Sequence, residues 1–479
     1  MNTLLLHPTD TLFFRDGRPM SGSLPGHGAA WPLPTVLNAA LHAALWRADI
    51  EGASGIKVHG HDQIRLQNGN RERVSKDTRK FGSLVTAGPF PVSPEDVWFF
   101  PRPADAQDAE NTTVTLLPAS ITGASSLPAF LTYGLANTEP PTKVKPAAWW
   151  NAAAWDAYLG KATAQAQLRP TDCFKTDADF ADTEHAIGIG ISPGTGTQNG
   201  EQFYSAHYLR LRAGWRLGAF AEARDKDFKD KDGNNDLIQT LFPNSGAETQ
   251  VIIGGQQRLC SVARHSNVES SPLPLPHGVE ITGHRVKWIL LTPAIWPEIK
   301  ADADRGLNAH SGGWLPNWVA EKVQTFDGTS VKAGCVLLLD GPGKEKAKRK
   351  KCAPGIRIAA RLVAALVPKP IPVTGYALGA PDATSEISNP KSQILPAGAK
   401  PTHLAVPAGA VYYFEADGKD DAEKSVNARK LAAALNWHGS PTSEISDLKS
   451  QILNRRSTLM GEKGFGLGVC GTWEPFPNS

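Results

Sequence analysis

Short apolar runs separated by glycine and proline are the feature that most constrains how this chain can fold. Its 479 residues include 45 glycines and 37 prolines, which interrupt regular elements and favour turns. Between these breaks lie β-branched or aromatic runs of strand length, namely VIIGG at Val251, WILLTPAIW at Trp288, CVLLLD at Cys335, IRIAARLVAALV at Ile356 and GAVYYF at Gly409. The pattern predicts an α+β protein with many short strands and long loops.

The two ends of the chain carry complementary parts of one supersecondary unit. Near the N-terminus, a strand at residues 3–7 precedes the basic turn RDGRP at Arg15 and a helix that begins at Pro34. Near the C-terminus, helices at residues 423–437 and 447–459 precede a glycine-rich loop and an apolar strand. Strand, elbow and helix at one end, and helix, loop and strand at the other, are expected of ferredoxin-like units.

We therefore predict two large domains, residues 1–250 and 251–479. The boundary is expected between Leu241 and Arg285, and the proline-rich segment SSPLPLPHG at Ser270 is the candidate linker. A twelve-residue repeat begins at Thr384 and again at Thr442. Its two copies are either docking peptides or a small duplication carried as a surface insertion.

The segment RRSTLMGEKGFGLGVCG at Arg455 is the strongest candidate for ligand contact. Its closely spaced glycines imply positive φ or close approach by another molecule. Exposed N–H groups beside Arg455, Arg456 and Lys463 would form an anion site. A tight turn before the last strand, with Phe465 in the core, is an equal alternative. A P-loop is excluded because Glu462 follows Gly461, and a dinucleotide fingerprint is excluded because the order of elements is reversed.

Basic residues are clustered, although the net charge is only +3. Any site for a polyanion must therefore be local. One basic cluster spans residues 53–82, where charges alternate with apolar residues as on a hairpin. A second, at residues 343–352, is typical of a solvated loop, and the third is the Arg455, Arg456 and Lys463 group.

Several other motifs are absent or incomplete. The five cysteines form no CxxC pair, so reduced thiols are expected, and no apolar run is long enough to span a membrane. The acidic stretch at Asp225 lacks the glycine and the glutamate of a calcium loop, and GIGISPGTGTQNG at Gly188 is predicted to be a hairpin with a glycine turn. We expect a cytoplasmic protein without a metal or a cofactor.

The ordered set of motifs resembles the RAMP superfamily of CRISPR effector subunits. It is similar, more narrowly, to subunit three of the type III-B Cmr complex, a relative of the Cas-five group. The resemblance rests on segments in family order, among them PTDTLFFRDGRPM at Pro8, WPLPTVLNAAL at Trp31, KFGSLVTAGPF at Lys80, VIIGGQQR at Val251, VPAGAVYYF at Val406 and the C-terminal glycine loop.

The resemblance implies a fold of two ferredoxin-like (RRM-like) RAMP domains with long insertions and a C-terminal glycine-rich loop. The insertions would be a basic hairpin at about residues 53–82 and a segment at about 380–400, and the loop would span residues 460–468. It also implies a non-catalytic subunit that holds the 5′ tag of crRNA, meets target RNA in the assembled complex, and joins the large signalling subunit to the backbone subunit.

Holding single-stranded RNA requires phosphate clamps and planar groups against which bases stack. The RNA-binding candidates are Arg15, Asp16, Gly17, Arg18, His27, Arg65, Arg73, Arg79, Lys80, Arg455, Arg456, Gly461, Lys463, Gly464, Phe465, Gly466 and Gly468. One alternative is a metal-independent RAMP endoribonuclease that uses His27 or His59 as general base on a 2′-OH. Another is a glycan- or protein-binding module that uses the 13 tryptophans.

Overall fold

The computed structural model describes most of the chain. The described residues are 1–17, 29–51, 53, 64–67, 70–73, 83–109, 113–143, 145–160, 171–225, 228–243, 249–265, 273–301, 308–326, 328–338, 357–377, 398–399, 401–440 and 458–477.

Two antiparallel sheets form the framework, and each is named here by its place in the chain. The N-terminal sheet has the strand order β15 (Thr249–Ile252), β16 (Leu259–His265), β1 (Asn2–Pro8), β14 (Arg216–Ala223) and β4 (Leu84–Val92). The C-terminal sheet has the order β20 (Ala360–Leu366), β25 (Val411–Ala416), β17 (Arg285–Leu290) and β26 (Gly468–Gly471).

Smaller antiparallel sheets decorate this framework. One has three strands, in the order β11 (Phe174–Lys175), β10 (Trp149–Asn151) and β5 (Phe99–Pro101). The others are pairs, namely β2 (Ile64–Gln67) with β3 (Asn70–Arg73), β6 (Ala106–Asp108) with β7 (Thr113–Thr115), β8 (Leu117–Ser120) with β9 (Tyr133–Ala136), β12 (Ala181–Ile191) with β13 (Gln198–Leu211), β18 (Gln324–Phe326) with β19 (Thr329–Val331), β21 (Ile371–Val373) with β24 (His403–Ala405), and β22 (Tyr376–Ala377) with β23 (Gly398–Ala399).

The described helices are few and mostly short. They are α1 (Pro34–Ala48), α2 (Ala152–Leu159), α3 (Asp177–Phe180), α4 (Leu237–Leu241) and α5 (Asp421–Leu435), with 3-10 turns at Thr171–Cys173 and Gly461–Lys463. Two of the predicted helices are confirmed as α1 and α5, while residues 447–457 of the third lie outside the described residues. The α+β class predicted from the sequence is confirmed.

Strands β15 and β16 complete the N-terminal sheet beyond residue 250, so this sheet ends inside the interval from Leu241 to Arg285 in which the boundary is predicted. Strand β16 pairs with β1 from Thr3↔His265 to Pro8↔Cys260, so this sheet extends to His265. The candidate linker is described only from residue 273 onward, where Leu273 and Leu275 are buried and the Pro276 carbonyl accepts a hydrogen bond from the Trp437 indole. This stretch is packed because its side chains are apolar.

The other strand predictions have mixed outcomes. The runs at Val251, Trp288, Ile356 and Gly409 contribute β15, β17, β20 and β25, respectively. The run at Cys335 forms isolated bridges in its described part, Cys335 with Arg361 and Val336 with Val319. The predicted glycine-turn hairpin is confirmed as β12 and β13, which join through residues 192–197.

The two sheets share one core. Leu5, Phe90 and Phe220 of the N-terminal sheet lie in the same buried cluster as Ile289 and Val411 of the C-terminal sheet. Helix α1 packs on the N-terminal sheet through Leu37, Leu41 and Leu45, and α5 packs on the C-terminal sheet through Leu431 and Leu435. Burial of these apolar surfaces provides the main stabilisation.

A buried ionic cluster also links the two halves. Asp105, which precedes β6, accepts hydrogen bonds from Tyr158 of α2 at 2.5 Å and Tyr413 of β25 at 2.8 Å. The Lys287 amine lies 3.7 Å from the same carboxylate and 3.8 Å from the centre of the Tyr158 ring. Burial lowers the pKa of the Lys287 amine, and the Asp105 carboxylate opposes part of that shift.

Candidate nucleic-acid interface

The basic elbow after β1 lies against the C-terminal half of the protein. Arg15 is exposed, whereas Gly17 is buried. A Cβ atom at Gly17 would lie 2.0 Å from the carbonyl oxygen of Pro372, in the middle of β21. The chain therefore needs glycine at this position because two backbone segments touch there. Arg18 and His27 lie outside the described residues.

The glycine loop, residues 460–468, is enclosed by protein atoms. A Cβ atom at Gly464, whose φ is +99°, would lie 3.0 Å from the Ala87 Cα. A Cβ at Gly466 would lie 2.5 Å from the Thr458 methyl group, and one at Gly468 would lie 2.1 Å from the Trp288 Nε1. The glycines at 464, 466 and 468 are therefore required by neighbouring atoms of the chain itself.

The amides of the loop are also used internally. The Gly464 N–H donates to the Gly461 carbonyl at 3.1 Å, and the Gly466 N–H donates to the Pro293 carbonyl at 2.8 Å. The Leu467 N–H donates to the Thr292 hydroxyl at 3.0 Å. An anion cradle built from these amides is not present, so the alternative of a tight, packed turn accounts for this part of the loop.

Phe465 is a core residue. Its ring is 0% exposed and packs with Ile295, Val373 and Ala405. The expectation that it offers a plane to a base is wrong for this geometry, because apolar neighbours enclose the ring. Val373 belongs to β21, the strand that Gly17 touches. The elbow and the glycine loop, from opposite ends of the sequence, thus meet on one short strand.

Two cationic side chains remain available at this junction, which we define as the elbow (Arg15–Gly17), β21 and the glycine loop. Arg15 is exposed and Lys463 is half-buried. Within the described residues, no carboxylate forms an ion pair with either side chain. The junction also contains the carboxylates of Asp16 and Glu462, so its formal charge is zero. Because Arg15 and Lys463 form no ion pair with the described residues, these two side chains can still meet an anionic ligand.

The first turn of α1 borders the same junction. Leu33, the residue before α1, packs against the Phe465 cluster, and Pro34 lies 3.4 Å from a Cβ placed at Gly464. Among the described residues, no side chain caps this end of α1. The positive end of the helix dipole therefore adds to the potential created by Arg15 and Lys463.

The remaining basic candidates are only partly described. Arg65 lies on β2 and Arg73 on β3, and these strands pair with Arg65↔Glu72 and Ile64↔Arg73 in register. The predicted hairpin is thus present in the backbone. Arg79, Lys80, Arg455 and Arg456 lie outside the described residues, and their places in an RNA site stay predictions.

A polar cavity of about 250 Å³ lies where β1 and β13 end, and none of the RNA-binding candidates lines it. It is lined by His7, Pro8, Thr9, Asp10, Arg210, Leu211, Arg212, Ala213, Gly214 and Trp215. Its arginines are paired: Arg210 contacts Glu184 and lies 2.9 Å from Asp10, and Arg212 lies 3.0 Å from Asp182. The charges compensate one another, so this cavity is a weaker anion site than the junction.

Two further findings limit the chemistry of the described residues. No group of three or more His, Cys, Asp or Glu side chains among them is placed to hold a metal ion. Among the described helices, none has both the length and the apolar character needed to cross a membrane.

The comparisons with known proteins agree with the resemblance drawn from the motifs. A family model described as "CRISPR-associated protein (Cas_Cmr3)" matches residues 4–473. This match places the chain in the class of CRISPR-associated proteins. Within that class, the chain belongs to the Cas_Cmr3 family. No curated protein matches it significantly.

Solved structures add distant similarities. The chain is 12% identical to a chain of the type III-B Cmr-beta complex bound to cognate target RNA and AMPPnP, with 86% of both chains covered and a TM-score of 0.36. For the same complex bound to cognate target RNA, the sequence identity is 13%, 86% of both chains is covered, and the TM-score is 0.37. For a chain of a type III-A Csm3–Csm4 subcomplex, the sequence identity is 10%, 88% of this chain and 94% of that chain are covered, and the TM-score is 0.30. At these TM-scores, the functional argument rests on the family model.

Proposed function

We propose that this protein is a non-catalytic, RNA-binding subunit of a type III-B CRISPR (Cmr) effector complex, and that it holds the 5′ tag of crRNA at the junction. The observation that carries the proposal is the meeting of the elbow and the glycine loop on β21, with Arg15 and Lys463 in no ion pair with the described residues. Membership of the Cas_Cmr3 family supports RNA as the anion.

The strand orders support the two-domain part of the proposal. Without β15, the N-terminal sheet has the order β16, β1, β14 and β4. Numbered by their place along the chain, these are the fourth, first, third and second strands of the sheet. The C-terminal sheet reads the same way from β26 to β20. An antiparallel sheet with this order is that of a ferredoxin-like unit, and α1 and α5 occupy positions that such units require. We infer one ferredoxin-like domain on each side of residues 266–284.

Within the complex, the subunit would join the large signalling subunit to the backbone subunit and lie beside target RNA. The family relationship supports this arrangement. The shared core of the two sheets suits such a role, because a rigid connection between two domains keeps two binding surfaces in fixed relation.

Binding of a fluorescent single-stranded RNA that carries the tag, measured by anisotropy across salt concentrations, tests the proposal. Arg15→Ala and Lys463→Ala should each weaken binding and lower the slope of log K against log salt by roughly 0.7, the value for one lost phosphate contact on a single strand. The control is Lys332→Ala, an exposed cation after β19. Equal slopes for all three variants would contradict the proposed site.

A separate experiment tests the proposal that the subunit is non-catalytic. Repeat-containing RNA incubated with the purified protein in the presence of a chelator should remain intact. A product that ends in a 2′,3′-cyclic phosphate would instead establish the endoribonuclease alternative.

A further inference from the structure

The turn between β15 and β16 holds two adjacent glutamines in left-handed backbone. It has the sequence GGQQR at residues 254–258, and we call it the GGQQR turn. The φ angles of Gln256 and Gln257 are +56° and +53°, and both side chains are exposed. Residues with a Cβ rarely adopt this conformation, and where they do they cluster at ligand sites. The backbone therefore singles out this turn as a candidate binding element.

The GGQQR turn packs against Phe13, two residues before Arg15 of the elbow. The Gly255 N–H donates to the Phe13 carbonyl at 2.8 Å, and a Cβ at Gly255 would lie 2.6 Å from the Phe13 Cδ1. Two residues of extended chain span at most about 7 Å. A strand that contacts Arg15 therefore passes close to this turn.

Tyr208 of β13 fixes the side chain of Gln256. The Tyr208 hydroxyl donates to the Gln256 Oε1 at 2.7 Å, and the Arg258 Nη2 lies 3.5 Å from the same oxygen. The Tyr208 ring is held in turn, since its centre lies 5.0 Å from the Arg258 guanidinium and 5.5 Å from the centre of the Phe13 ring. The oxygen of the Gln256 amide is thus occupied. Its two N–H groups remain, and the described residues supply no acceptor for them.

The charges around the turn cancel, which favours a neutral ligand over a phosphate. The Arg258 Nη1 lies 3.5 Å from Asp10, Asp10 lies 2.9 Å from Arg210, and Arg210 also contacts Glu184. Two cations and two carboxylates therefore form one chain of ion pairs. Affinity for phosphates depends on cationic side chains that neutralise them. A nucleobase carries no charge and offers a planar face and a polar edge instead.

The polar groups that the turn offers are donors, and this selects among the bases. Gln256 presents two N–H groups, and Arg258, whose side chain is 29% exposed, carries further N–H groups beside them. Guanine has two neighbouring acceptors, O6 and N7, whereas adenine has an amino group beside N7, and cytosine has an amino group at the corresponding edge. The ring of Phe13, which is half-buried beside the turn, supplies an aromatic surface for a base.

We propose that the GGQQR turn is a base-recognition site that takes a guanine of single-stranded RNA, with the Gln256 amide and the Arg258 guanidinium donating to O6 and N7. Tyr208 is a positioning residue, since it acts through Gln256. The inference rests on the proposed function, because the guanine belongs to the strand held at the junction. It adds a preference for sequence to a site whose other contacts are to phosphates.

Binding of fluorescent oligouridines to the full-length protein, measured by anisotropy, tests the proposal. Each oligouridine carries one central guanine, adenine, inosine or 7-deazaguanine. Inosine keeps O6 and N7, and 7-deazaguanine lacks N7. The guanine and inosine probes should bind equally and roughly tenfold more tightly than the adenine probe, and the 7-deazaguanine probe should lose most of this advantage. Equal affinities for guanine and adenine, or an inosine probe as weak as adenine, would overturn the proposal.

The two glutamines provide a matched pair of variants, because they share exposure and left-handed backbone. Gln256→Ala should abolish the preference for guanine over adenine, and Gln257→Ala should keep it. Tyr208→Phe removes only the hydroxyl, so it should reduce the preference and leave the slope of log K against log salt unchanged. An equal loss of preference in Q256A and Q257A would contradict the site.

The two proposals can fail separately. If the wild-type protein bound the guanine and adenine probes equally, the proposed function would stand and the guanine site would fall. If it bound none of the probes, the proposed function would fall and the guanine site with it. If it preferred guanine while Arg15→Ala and Lys463→Ala left binding unchanged, the guanine site would stand and the junction would fall.

Discussion

Two glycine-rich segments with similar composition lie in opposite environments in this protein. In the glycine loop, a Cβ at Gly464, Gly466 or Gly468 would meet other atoms of the chain at 3.0 Å or less. In the turn of the hairpin formed by β12 and β13, which we call the ribbon, no atom of the described residues lies within 4 Å of such a Cβ at Gly194 or Gly196, and Gly196 has a φ of +67°. The glycine loop needs glycine for close packing and, at Gly464 and Gly466, for positive φ as well, whereas the ribbon turn needs it only for the positive φ of Gly196.

The comparison teaches that glycine content alone does not mark a ligand-binding loop. The glycine loop contributes to the junction mainly by packing the two halves together around β21. The cationic side chains there are Arg15, which is exposed, and Lys463, which is half-buried. The ribbon has room around its glycines but lacks cations over residues 186–206. The ribbon therefore has open space around its glycines without cations, and the junction has cations without open space around its glycines.

The largest expected effect concerns the buried ionic cluster that joins the halves. Asp105→Asn keeps the shape of the side chain but leaves the Lys287 amine, 2% exposed, without its counter-ion. Loss of one member of a buried ion pair costs about 3–5 kcal/mol, so the free energy of unfolding measured in urea should fall by about that much.

A matched surface pair and a double variant provide the controls for that prediction. Asp182→Asn removes a partner of Arg212 at the ribbon, where both side chains are about half exposed, and should cost less than about 1 kcal/mol. The double variant D105N/K287M should recover much of the stability lost by D105N, because it removes the unpaired charge. If D105N and D182N lowered the free energy of unfolding equally, the predicted contrast between the buried and the exposed ion pair would be wrong.

A smaller effect is expected from adding a methyl group to each glycine segment. Gly468→Ala places Cβ 2.1 Å from the Trp288 Nε1 and 2.9 Å from the Ile289 carbonyl oxygen, so neighbouring atoms must move. Such overpacking costs about 1–3 kcal/mol. Gly194→Ala, with open space around it, should change the free energy of unfolding by less than about 0.5 kcal/mol. A Gly468→Ala variant as stable as the wild type would show that the loop is not closely packed.

Elements with a clear local pattern could be predicted from the sequence. Helix α1 has proline in its first turn and buries Leu37, Leu41 and Leu45 at helical spacing. The ribbon was predicted from a glycine turn between alternating apolar residues. These elements need little information beyond their own residues, since hydrophobic periodicity and turn chemistry are local signals.

What could not be predicted depends on contacts distant in sequence. The burial of Phe465 follows from Ile295, Val373 and Ala405, none of which is near it in the chain. Strand β21, where the elbow and the loop meet, was missed because it has three residues and lies among prolines. The membership of β15 and β16 in the N-terminal sheet could not be predicted either, because an apolar run does not reveal which sheet it joins, and β16 pairs with β1.

The central claim is that RNA binds at the junction, and photocrosslinking from the RNA tests it most directly. A crRNA with 4-thiouridine in its 5′ tag would be bound to the purified protein and irradiated, and the modified peptides would be identified by mass spectrometry. The account predicts crosslinks in peptides that contain Arg15–Gly17, Ile371–Val373 or Lys463. Crosslinks confined to residues 186–206 of the ribbon would contradict it.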